Sequence, residues 1–192
     1  MFKIYQSRFL VLAILCMLFT TSPAFAKRGA IVNDGITRGG DILQWAIPLS
    51  ALMYSYAIGD WQGVKQLGYT AGSTLAATYV LKYTINEERP YQDEDTSGHT
   101  FPSGHTSVAF AGAGYWQMRY SWYVGVPMYA AAAFVGYSRN HAKMHNWFDI
   151  SIGAAMGIGA NLLFTVRYND ENTQISIAPA DGGAMFRFSA RF

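Results

Sequence analysis

The 192-residue chain has one cysteine, six prolines and few charges, with Asp, Glu, Lys and Arg together making up only 14% of it. An ordinary soluble domain carries roughly 25% charged residues, so the shortage argues against a plain cytosolic enzyme. The 14 basic and 12 acidic residues leave a formal net charge of +2. That is no basic excess, and nucleic acid is excluded as a partner. Cys16 lies in an apolar N-terminal run, so the rest of the chain has no thiol and no disulfide, as suits an oxidising envelope compartment. No repeat of solenoid period and no low-complexity linker divides the chain, and the length fits one domain. No set of residues has metal-ligand spacing, and no cofactor is expected.

What the chain does have is apolar sequence. Lys3 and Arg8 precede an uninterrupted apolar run over 9–19, and Ala24-Phe25-Ala26 stands before Lys27. Residues 1–26 therefore read as a signal peptide cleaved after Ala26, or as a first membrane helix. Five more stretches carry no charge: 42–59, 66–81, 96–118 with neutral His, 120–137 and 150–166. These sit at the lower edge of the roughly 17 to 25 residues that a spanning helix needs. They are rich in Gly, Ala, Ser, Thr and Tyr, which keeps a compact soluble bundle open, although small residues also let membrane helices approach closely. Gly153-x-x-x-Gly157 has that spacing. Helical segments are expected at 9–22, 42–59, 64–84, 104–118, 121–138 and 148–166. After Asp170 the pattern becomes strand-like on both sides of Asp181-Gly182-Gly183. The expected fold is all-α: a compact transmembrane helical bundle of five helices after a signal peptide, or six if it is retained, with a short C-terminal β-hairpin. The helical bundle is assigned to 27–168 and the hairpin or tail to 169–192.

Three clusters carry chemistry. In Lys82-Tyr83-Thr84-Ile85-Asn86-Glu87-Glu88-Arg89-Pro90, two cations seven residues apart share one end of a helix. Pro90 disfavours helical geometry at Arg89, so that guanidinium begins a loop. In Phe101-Pro102-Ser103-Gly104-His105-Thr106-Ser107, a hydroxyl and amides meet at a helix N-terminus, the natural seat of an anionic oxygen. The third cluster is Ser138-Arg139-Asn140-His141-Ala142-Lys143-Met144-His145-Asn146-Trp147-Phe148-Asp149. There Arg139 offers a planar anion clamp, and Asp149, four residues after His145, can fix its tautomer. Taken singly, each cluster is also explained as interface cations, a helix start or a capping pair.

In this order the three clusters resemble the tripartite signature of the type 2 phosphatidic acid phosphatase superfamily, which includes bacterial non-specific acid phosphatases and vanadate-dependent haloperoxidases. The resemblance covers roughly residues 64–166. It implies an α-helical bundle and metal-free hydrolysis of phosphate esters through a phosphohistidine. Carried over position by position, it makes His145 the nucleophile, Asp149 its orienting partner and His105 the general acid. Lys82, Arg89, Ser103, Gly104 and Arg139 become the phosphate-binding set. His99 and His141 match no position of the signature.

The expected activity is that of a metal-independent phosphatase acting on a lipid phosphate or diphosphate at the periplasmic face of a bacterial inner membrane. A phospholipid, polyprenyl or lipid A phosphate would serve as substrate, since nothing outside the motifs chooses among them. The alternatives are a soluble periplasmic acid phosphatase, a vanadate-dependent haloperoxidase and a non-catalytic envelope protein.

Overall fold

The computed structural model describes residues 32–85, 100–168, 173–180 and 183–190. The N-terminal signal or first helix, Arg89 and His99 lie outside the described residues, and at the C-terminal end two strands, β1 (Thr173–Ala180) and β2 (Gly183–Ala190), pair antiparallel. Five α-helices are seen: α1 (Gly35–Ala57), α2 (Trp61–Ile85), α3 (Gly104–Tyr115), α4 (Trp122–His141) and α5 (Trp147–Phe164). A π-helical turn, Trp116–Tyr120, continues α3.

Two of these helices begin where a polar side chain supplies a cap. Asp34 accepts hydrogen bonds from the amides of Ile36 and Thr37, each at 3.0 Å, and starts α1 at Gly35. The uncharged stretch places this helix at 42–59, with the charges of Arg38 and Asp41 outside its boundary. The Asp34 cap overrides that boundary and brings Asp41 onto the helix. Asn146 opens α5 with a capping box, its side chain accepting from the Asp149 amide at 2.8 Å while Asp149 Oδ2 accepts from the Asn146 amide at 3.2 Å. The segment at 139–147, expected as a loop, begins as helix. α4 runs through His141, so Arg139 projects from a regular last turn.

α3 is the central helix and packs against each of the other four. Small residues make this possible. A Cβ built on Gly112 would lie 2.9 Å from Pro48 Cα, where the missing proline N–H lets α1 come close. One built on Gly153 would lie 2.6 Å from the Ser103 carbonyl, and one on Gly157 would lie 2.5 Å from the Ala111 amide. The Gly-x-x-x-Gly pair thus sets the approach of α5 to α3.

The helices around α3 turn large apolar side chains outward, among them Ile42, Met53, Val80, Tyr123, Leu162 and Leu163. α5 is long and apolar enough to cross a membrane, with a mean hydropathy of 1.3. α3 has 12 residues and is therefore about 18 Å long, short of the roughly 30 Å of a hydrocarbon layer.

Opposite the ends that carry the motifs, a buried polar cluster ties the bundle together. The Arg119 guanidinium donates to both carboxylate oxygens of Asp60, Nε to Oδ2 at 2.8 Å, and to the Val166 carbonyl at 2.8 Å. Tyr120 donates its hydroxyl to Asp60 Oδ2 at 3.0 Å, and Ser55 joins Tyr115 and Tyr120 at 2.8 and 2.7 Å. Burial works against the charge on Asp60, but Arg119, the Gly63 amide and Tyr120 outweigh it and hold the carboxyl below its ordinary range.

Candidate active site

The last turns of α2 and α4 and the first turns of α3 and α5 meet at one end of the bundle, and α1 runs past them. The Lys82 ammonium donates to the Thr100 carbonyl at 3.2 Å, and its Cε lies 3.8 Å from where a Gly104 Cβ would be. The cation thus lies along the start of α3. Ser103 is fully buried and fixed from two sides: its amide donates to the Asp149 carbonyl at 3.1 Å, and its hydroxyl pairs with Thr106 Oγ1 at 2.9 Å. The hydroxyl makes no capping bond. The first-turn amides that follow, those of Gly104 and His105, have no intrahelical acceptor, as at any helix start.

His145 lies just ahead of α5, in the stretch that turns back from α4. Its amide donates to the Arg139 carbonyl at 3.3 Å and its own carbonyl accepts from Asn140 Nδ2 at 3.2 Å. Nδ1 sits 3.3 Å from Asp149 Oδ2, an oxygen that also closes the capping box of α5. One carboxylate oxygen therefore both starts a helix and sets an imidazole. The Nδ1–Asp149 contact fixes the orientation of the imidazole ring. Asp149 is fully buried, and its Oδ1 has no hydrogen-bond partner among the described residues.

Arg139 is 1% exposed, and three protein oxygens fix its guanidinium. Nε donates to Ser138 Oγ at 3.1 Å, NH1 to Asp41 Oδ1 at 2.7 Å and NH2 to the Thr37 carbonyl at 2.7 Å. A guanidinium has five N–H donors, so an anchored Arg139 keeps capacity for an incoming anion. His105 Nε2 lies 3.2 Å from the same Asp41 oxygen. Burial, together with Arg139 and His145, pushes the His105 imidazole down to about 4, while Asp41 pulls the other way.

Lys82, Ser103, Gly104, His105, Arg139, His145 and Asp149 are thus brought to one place, while Arg89 lies outside the described residues. Asp41 was missed. It stands 98 residues from Arg139, and the only sequence signal for it was a charge at the edge of an apolar run. His141 is not among the site groups; it stacks on Tyr137 and meets the capping carboxylate Asp34 at 2.7 Å, joining α4 to α1. Among the described residues no group of three or more His, Cys, Asp and Glu side chains is gathered as a metal site would require.

This gathering of three separated motifs at one end of the bundle agrees with comparison to known proteins. The family model of the PAP2 superfamily matches residues 63–173. The chain belongs to the PAP2 superfamily and is a phosphatase of that superfamily. Among curated relatives, a lipid A 4'-phosphatase of Helicobacter pylori is 28% identical over 170 residues, which is 83% of this chain and 82% of the relative. A lipid A 1-phosphatase of Porphyromonas gingivalis is 38% identical over 81 residues, covering 40% of this chain and 17% of that longer protein. Among solved structures, the crystal structure of Aquifex aeolicus LpxE superposes with a TM-score of 0.58 at 22% identity. It covers 67% of this chain and 81% of that one, and the likeness is one of fold. As a PAP2 phosphatase, the chain places every described motif residue where two helix starts and two helix ends converge.

Proposed function

We propose that this PAP2 phosphatase removes phosphate from a lipid A-type glycolipid, with His145 as nucleophile and no metal ion. The observation that carries the chemistry is His145 Nδ1 held 3.3 Å from buried Asp149, beside Arg139 and the open amides of α3. Phosphoryl transfer asks mainly for positioning and charge stabilisation. Lys82, Arg89 and Arg139, with Ser103 and the Gly104 amide, supply both without a divalent ion. His145 Nε2 attacks phosphorus, and the bond to the leaving oxygen breaks as His105 gives that oxygen a proton. Water then attacks the phosphohistidine. His105, now neutral, takes a proton from this water as the phosphorus–nitrogen bond breaks.

For the substrate class, the Helicobacter pylori relative named a lipid A 4'-phosphatase, matched over most of both chains, favours lipid A over the phospholipid and polyprenyl headgroups left open by the motifs. For location, the outward apolar side chains of four helices and the length of α5 support an integral membrane protein. We place the site on the periplasmic side of the inner membrane, as counted from a cytoplasmic N-terminus.

The test is phosphate release by purified protein, with EDTA present, from lipid A, phosphatidic acid, a polyprenyl diphosphate and p-nitrophenyl phosphate. Lipid A is expected to react fastest. Turnover confined to the soluble ester would favour an acid phosphatase, and vanadate-dependent bromination without phosphate release would favour a haloperoxidase. No activity of either kind would overturn the enzymatic reading.

A further inference from the structure

One carboxylate oxygen joins two site residues from a helix that lies outside the superfamily match. Asp41 stands on α1, ahead of residue 63 where that match begins. Its Oδ1 accepts from Arg139 NH1 at 2.7 Å and lies 3.2 Å from His105 Nε2.

The helix cannot carry this carboxylate away from the site. A Cβ on the neighbouring Gly40 would lie 2.7 Å from Ser138 Cβ and 2.8 Å from Arg139 NH2, so α1 and α4 touch backbone to side chain at this level. Thr37 gives its carbonyl to Arg139 NH2 at 2.7 Å, and the Val32 amide reaches the Ala142 carbonyl at 3.3 Å. Asp34 caps α1 and meets His141 at 2.7 Å. Five residues of one helix start are spent on fixing its geometry against the third motif.

The charged groups around His105 pull in opposite directions. Arg139 from α4 and His145 from the stretch ahead of α5 disfavour a positive charge on the imidazole, and Lys82 lies along Gly104 from α2. Asp41, from α1, is the one carboxylate among the described residues in contact with the imidazole. A general acid in this setting needs a negative partner before it can hold a proton.

Resting on the phosphatase reading above, we propose that Asp41 is a positioning residue that favours the protonated form of His105 in the substrate complex until the leaving oxygen takes the proton. In the substrate complex the Nε2 proton of the charged imidazole is shared with Asp41 Oδ1. That proton passes from Nε2 to the leaving oxygen as the phosphorus–oxygen bond breaks and the His145 phosphorus–nitrogen bond forms. His105 ends the step neutral. Asp41 also places a negative charge beside an anion site, so it weakens phosphate binding while it supports turnover.

These two effects separate this role from a merely structural one. In purified protein, Asp41→Asn is expected to lower kcat by about tenfold or more, and to move the basic limb of the kcat profile to lower pH by about one unit. Inhibition by inorganic phosphate should become stronger. Asp41→Glu, which keeps the charge, should keep the basic limb at its wild-type position. Asp41→Ser removes the charge in a smaller side chain and serves as a second test of folding-independent effects.

A wild-type limb and wild-type phosphate inhibition in either folded charge-removing variant overturns the assignment, as does a Glu variant whose limb falls with that of Asn. Those outcomes leave the phosphatase reading intact, because the wild type is then active. Absence of phosphate release from wild type and His145→Ala alike overturns that reading, and this assignment falls with it.

Discussion

Gly153 lies against the carbonyl of Ser103 so closely that an added Cβ would sit 2.6 Å from that oxygen. The oxygen belongs to the residue that opens α3, so helix packing and the anion seat share one contact. Gly153→Ala is expected to push the start of α3 outward and to lower kcat/KM by about tenfold. Gly157→Ala meets α3 backbone a turn deeper. It should instead lower stability by about 1–3 kcal/mol with kcat nearly kept. Phosphate-release kinetics and thermal melts of the two variants check this split, and equal effects on activity would contradict it.

At the other end of the bundle, Arg119 and Asp60 form a buried pair. Breaking it strands a charge, and Asp60→Asn should cost about 3–5 kcal/mol, or a fall in Tm on the order of 10 °C. Because the Asp60 carboxyl is lowered in the fold, its contribution is full above about pH 4 and is lost as pH falls through the lowered value. Asp34, held at about 2 by the Thr37 amide and His141, adds to the same acid limb. Melts in detergent between pH 7 and 3 should show a steeper acid loss for the wild type than for Asp60→Asn. Parallel curves would contradict the ion-pair role.

The pH dependence of turnover follows from His105. In the free enzyme burial, Arg139 and His145 hold it at about 4, so the proton it must donate is scarce at neutral pH. A bound phosphate dianion favours the protonated imidazole. The basic limb of kcat should therefore lie at higher pH than that of kcat/KM, since the first reports the substrate complex and the second the free enzyme. Coincident limbs would remove His105 from the acid role.

The most legible parts of the site were local in sequence. His145 and Asp149 are four apart, and the capping box of α5 is formed by Asn146 and Asp149, three apart. The start of α3 was marked by Pro102, Ser103 and Gly104. What could not be read were contacts between distant segments that use ordinary residues. Asp41 and Arg139 meet across 98 positions, and Asp60 and Arg119 across 59. Each charge stood at the edge of an apolar run, where solvation explained it equally well. The π-helical turn at Trp116–Tyr120 was likewise hidden, because its residues read as the end of one helix and a tight connection.

Orientation is tested at the two ends of α2. Single cysteines at exposed Gln62 and Thr84, in a Cys16→Ser background, are treated in intact spheroplasts with a membrane-impermeant thiol reagent. Labelling is expected at position 84, and protection at 62 until lysis. Protection at 84 would reverse the topology, and labelling at both in a carbonate-extractable protein would mean a soluble bundle.

The most direct test of the central claim is to trap the phosphoenzyme. The purified wild type is mixed with radiolabelled lipid A phosphate in EDTA, quenched in alkali within one turnover and mapped by mass spectrometry. The account predicts a phosphate on His145, absent from His145→Ala, which also releases no phosphate. Phosphate release by His145→Ala at the wild-type rate, or a label on another residue, would contradict it.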